Sequence, residues 1–141
     1  GISFEDWPFI TCLVSSLPVM AVIDEKLYMY NASRPSITRS PFSVKKIHDY
    51  MTGIHYVYDY FRKKNDDKQW KTVQNNRINV SIKMVLSKIS KSEENRDELE
   101  QYFKQEYEKL LQENIISFSN LSLKSKYRLL RLMWHQHQRH F

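Results

Sequence analysis

The chain has 141 residues, 41% of them apolar and 27% charged, the size and make-up of one ordinary globular domain. A single cysteine excludes an internal disulfide framework and a multi-cysteine zinc site, and two glycines leave no room for a phosphate-cradling loop. The formal charge of +6 suits an acidic partner such as nucleic acid but fixes no fold.

In chain order, the first apolar segment opens at Trp7-Pro8-Phe9-Ile10, with Asp6 placed to cap it and Pro8 suited to a first helical turn. It should stop before Pro18. Residues 19–30 allow a hairpin or a helix. The absence of Gly or Asn around Asp24-Glu25-Lys26 favours the helix. Asn31 to Pro41 reads as a loop carrying Arg34 and Arg39. Ser43 then caps a helix of about five turns, because Val44, Ile47, Met51, Ile54, Tyr58 and Phe61 recur at alternating spacings of three and four. Gly53 weakens that helix and permits a close crossing. Arg62-Lys63-Lys64 end it in the sense the helix dipole favours.

Asn65-Asp66-Asp67 is the expected turn. A short helical piece around Trp70 and Val73 follows, and after Asn75-Asn76 a stripe of Ile78, Ile82, Val85, Leu86 and Ile89 predicts another helix. Ser90 and Glu93 match a capping box for a helix over about 93–114, with Leu99, Tyr102, Phe103, Leu110 and Leu111 inward. Residues 115–120 break the pattern. Ser122 caps a last helix from Leu123 to about His137. The expected fold is therefore all-α: a single compact helical domain of five to six helices over 1–141, with no cofactor and no membrane-spanning stretch. A start on Gly1 and an end directly after a helical pattern read as a segment of a larger protein.

Charge is blocked along this pattern. Residues 34–91 carry +9, residues 92–114 carry −5 and residues 115–141 carry +5. Within the first block, Lys45, Lys46, Arg62, Lys63, Lys64, Lys68, Lys71 and Arg77 interleave with Tyr56, Tyr60 and Trp70. Cations neutralise phosphates and exposed aromatics stack on bases, so this is the first candidate nucleic-acid surface. The second lies on the last helix, where Lys124, Arg128, Arg131 and His135 form one stripe. Leu123, Tyr127, Leu130 and Trp134 run beside it, with Leu129, Leu132 and Met133 on a third flank. So apolar a helix should be mostly buried, with only a basic ridge exposed. That ridge is placed either to contact phosphates or to pair with the acidic helix before it.

Other chemistry finds little support. His135, His137 and His140 are spaced so that they do not share one helix face, and they read as a solvated terminus. Cys12 sits in an apolar run, no G-x-S-x-G elbow occurs, and no enzyme is expected. Two readings remain: a nucleic-acid module, taking duplex DNA, and a protein–protein scaffold docking another subunit or a partner helix. In the scaffold, Trp7, Phe9, Trp70 or Trp134 would be exposed anchors.

The segment 99–135 resembles a known family. An aromatic-rich helix, a short break and then the Ser-capped LSLKSKYRLLRLMW, with Leu121, Leu123, Tyr127, Leu129, Leu130 and Leu132 in the apolar positions, is similar to the WHIM motif. That motif belongs to the DDT/WHIM subunits of imitation-switch chromatin remodellers. The resemblance covers about a quarter of the chain. It implies a nuclear, non-catalytic module that contacts linker DNA or other subunits of a nuclear complex.

Overall fold

The structure is a computed structural model. It describes residues 4–25, 40–121 and 123–137, with residues 120 and 132–137 described by backbone alone. The expectations for Arg34 and Arg39, for the cap at Ser122 and for the side chains of Trp134, His135, His137 and His140 fall outside what is described.

Among the described residues there are six α-helical segments: α1 Asp6–Ser16, α2 Val44–Lys63, α3 Asp67–Val73, α4 Asn79–Ile89, α5 Arg96–Gln112 and α6 Leu123–His137. No strand occurs among the described residues, so the chain is all-α. None of these helices is long and apolar enough to cross a membrane. A π turn over Gln74–Ile78, which includes Asn75 and Asn76, joins α3 to α4 without a break. The buried Gln74 pins this turn by donating from Nε2 to the Ile115 carbonyl at 3.1 Å.

Helix α2 is the central rod. Ser43 caps it by accepting from the Lys46 amide, and α1, α3 and α5 all pack against it. Its stripe of Ile47, Met51, Ile54 and Phe61 is buried, as the spacing predicts. Opposite them lie Ile82, Val85 and Ile89 of α4, Leu99, Phe103 and Leu110 of α5, and Tyr107, which the periodicity had not singled out. Gly53 does allow a close crossing. A Cβ built there would lie 2.9 Å from Trp7 Cζ2, and the Trp7 ring stacks on Tyr50 at 5.4 Å.

Two helix ends share one device. Asn65 and Asn114 adopt left-handed φ values of 53° and 56°. In each case the next residue's amide reaches back to the third-last helical carbonyl, Asp66 to Phe61 at 3.1 Å and Ile115 to Leu110 at 2.9 Å. The asparagine amides bond to Arg62 and Leu111 carbonyls. This is the Schellman arrangement, which tolerates Asn where Gly is usual.

Three expectations are corrected. Residues 19–25 are not helical but run on without regular structure after α1, and 26–30 lie outside the described residues. Val19, Met20, Val22 and Ile23 are exposed there, and a short helix that buries no face gains too little to form. The Ser90–Glu93 capping box is absent. Ser90 is spent on ending α4, its hydroxyl donating to the Ser87 carbonyl, and α5 starts later, at Arg96 after Asn95. Helix α6 also faces the other way. It seats Ser125 and Leu129 against the core, while Leu123 is 85% and Tyr127 67% exposed. Among the described residues α6 packs against α4 and α5, and Leu123, Tyr127 and Leu130 stay exposed.

Candidate functional site

Three groups of cations stand out among the described residues. The first is the corner where α2 passes into α3. Arg62 and Lys63 occupy the last turn of α2, Lys64 caps it, and Lys68 and Lys71 lie on α3. All five are exposed, and none forms an ion pair among the described residues. The Schellman turn at Asn65 sets the angle between the helices. Asp66 then caps α3 by accepting from the Gln69 amide at 3.0 Å. Asp59 and Asp67 are the other acids of this region, so the corner remains net positive.

Aromatic packing stiffens the corner from below. Trp70 is buried, edge-on to Tyr58 at 5.2 Å and tilted against Phe61 at 6.3 Å. It is core and cannot stack on a base. Tyr60 is half-buried beneath Lys64, whose ammonium sits 4.5 Å from the ring centroid. Hydrogen bonding from Lys64, and then from Ser16, lowers the Tyr60 phenol below its ordinary value. Ser16 also ties the end of α1 to this ring at 2.9 Å. Tyr56 is the exposed member of the aromatic set. Arg77 is exposed on the π turn, about 9 Å further along the helical path than Lys71 at 1.5 Å per residue.

Lys45 and Lys46 belong elsewhere. They start α2, some 25 Å from Arg62 along its axis. Lys45 is engaged with the buried Asp49 at 2.6 Å. Lys46 is only 6% exposed and donates to the Ser40 carbonyl and hydroxyl at 2.7 Å each. Burial, with Lys88 nearby, lowers its ammonium below the usual lysine value. It lines a cleft with Lys88 and Lys91, two cations that the sequence pattern did not single out.

The third group gathers where α4, α5 and α6 meet. Arg128 is half-buried and Arg131 exposed, and both line a cleft with Arg96 and Glu100. Lys124 stays at the surface on the first turn of α6, away from that lining. Glu100 is bonded to Arg96 Nε at 2.8 Å within its own helix. The acids of α5 are largely occupied the same way, Glu106 by Lys109 and Glu108 by Lys104 at 3.9 Å, while Glu113 meets His55 of α2 at 3.6 Å. Arg96 is hidden in the sequence pattern because it lies within the acidic block.

Cys12 is buried, and burial pushes its thiol up against a smaller opposing effect of Lys64. Among the described residues no three His, Cys, Asp or Glu side chains converge on a metal position. No protein-family model, curated protein or solved structure matches the chain.

Proposed function

We propose that the chain is a non-enzymatic helical module that holds duplex DNA by its phosphates through the α2–α3 corner. One observation carries the reading: Arg62, Lys63, Lys64, Lys68 and Lys71 are exposed, form no ion pair among the described residues and flank the single turn between α2 and α3. Cations so placed release counterions when they meet a polyanion, which gives affinity without sequence preference. Arg77 extends this surface. Lys45 and Lys46 are outside it, and Lys124, Arg128 and Arg131 lie on different elements. The WHIM-like segment 99–135 supports a nuclear setting in chromatin and a role in transcription regulation. The test is a duplex titration at two salt concentrations with Lys63→Glu/Lys64→Glu alongside the native chain. Binding should weaken with salt and with the double substitution, while the fold is retained.

A second reading, docking of a protein partner, is favoured by a different observation. On α1 the apolar side chains of Phe9, Ile10, Leu13 and Val14 are turned to solvent, with Phe9 61% exposed. A contiguous apolar face of this kind marks interaction surfaces. Phe9→Glu with Leu13→Glu should leave stability within about 0.5 kcal/mol and DNA binding unchanged. Loss of association with a copurifying subunit in that variant would support this reading over the first.

A further inference from the structure

We propose that the cleft between α4, α5 and α6 is a binding site for a phosphate monoester dianion, gripped by Arg96, Arg128 and Arg131. The cleft has a volume of about 210 Å³ and a floor formed by Leu86 and Ile89. Three guanidinium groups line it against one carboxylate, Glu100, which is already bonded to Arg96. Guanidinium groups therefore outnumber carboxylates in the lining. Nη1 of Arg128 is buried and has no hydrogen-bond acceptor among the described residues.

That orphaned donor is informative because a guanidinium cannot lose its proton to escape burial, as a lysine can. A buried donor of this kind calls for an acceptor. A phosphate monoester brings nearly two negative charges near neutral pH and three acceptor oxygens. It thus matches the charge of the lining and the fork geometry of arginine, and the apolar floor strengthens the attraction. A backbone phosphodiester brings only one charge. The N-terminus of α5 adds little, because Asp97 and Glu98 occupy its first turn. Ser90 at the rim has its hydroxyl proton on the Ser87 carbonyl, so the arginines are the donors that matter.

The same dianion is presented by a phosphorylated side chain of a partner and by a small phosphate compound. The site is built from other elements than the α2–α3 corner and does not depend on the DNA reading. The experiment is an NMR titration of the full chain at constant ionic strength, following the arginine Nε–Hε signals. The probes are inorganic phosphate, O-phosphoserine, a phosphoserine peptide and dimethyl phosphate. Phosphate and phosphoserine should shift the Arg96, Arg128 and Arg131 signals and bind about tenfold tighter than dimethyl phosphate, the margin of one charge-assisted contact. Tighter binding of the peptide than of free phosphate identifies a phosphorylated partner. Equal binding identifies a small phosphate compound.

Arg128→Lys keeps the charge but loses the fork, and should weaken phosphate binding several-fold. Arg131→Gln, at an exposed position, does so with less demand on the fold. Lys63→Glu/Lys64→Glu should leave phosphate binding unchanged while lowering DNA binding, which separates failure of this proposal from failure of the DNA reading. Equal affinity for dimethyl phosphate overturns the proposal. So does phosphate binding that survives both arginine substitutions, or displacement of bound phosphate by duplex DNA.

Discussion

Alanine at position 53 should reveal how tightly α1 is seated on α2. In a free helix, Gly→Ala gains about 1 kcal/mol, because the backbone has less freedom to lose. Here the added Cβ meets Trp7 Cζ2 at 2.9 Å and Cε2 and Nε1 at 3.2 Å, inside ordinary contact distance. The indole cannot retreat freely, since it is stacked on Tyr50 with an interplanar angle of 21°. Overpacking of this kind costs about 1–3 kcal/mol. The net result is a loss of up to about 2 kcal/mol, despite the better helix former. Removing the ring should invert the sign: in a Trp7→Ala background, Gly53→Ala should gain about 1 kcal/mol. Urea unfolding followed by far-ultraviolet circular dichroism, with a common m value, measures both effects and their coupling. A gain of about 1 kcal/mol from Gly53→Ala in both backgrounds would refute the close crossing.

Two buried phenols give further expectations. The Tyr107 hydroxyl is buried with no partner among the described residues, and burial pushes its phenol well above the usual range. Tyr107→Phe should therefore be neutral or stabilising by up to about 1 kcal/mol, and a loss of that size in urea midpoint measurements would mean the hydroxyl is bonded. For Tyr50, burial outweighs a hydrogen bond with Ser81 and raises the phenol from 10.0 to about 12. The folded state thus favours the neutral form. That contribution is whole below pH 10 and is lost as pH climbs through the folded value, about 2–3 kcal/mol in all. Stability measured between pH 9 and 12 should fall less steeply in Tyr50→Phe than in the native chain, although its neutral-pH stability is lower by the lost Ser81 bond.

Where local chemistry decides the structure, the residues could be read directly. Ser43 caps α2, the three-and-four spacing from Ile47 to Phe61 gives its buried face, and Asn65 marks the turn that shapes the basic corner. Where tertiary placement decides, the pattern was ambiguous. Ser90 is a plausible cap for the helix after it and an equally good end for the helix before it, and continuation of α4 settles the choice. On α6, apolar residues occupy so much of the circumference that periodicity cannot say which stripe is buried. The narrow seat offered by α4 and α5 takes Ser125 and Leu129 and draws Arg128 inward. Likewise Lys46 carries the same charge as Lys45 in the sequence, yet one turn geometry buries it beside Ser40 and leaves its neighbour exposed. The cluster of Arg96, Arg128 and Arg131 joins residues from an acidic and a basic block, which no linear charge count brings together.

Phosphate contact through the α2–α3 corner should show itself in the salt dependence of duplex DNA binding. Five cations on the phosphates predict a slope of log K against log salt near −4.5, at roughly 0.9 per contact. Lys63→Glu/Lys64→Glu should lower affinity and reduce that slope to about −2.7, with an unchanged far-ultraviolet spectrum. Absence of binding at low salt would contradict the account, as would a steep slope untouched by the double substitution.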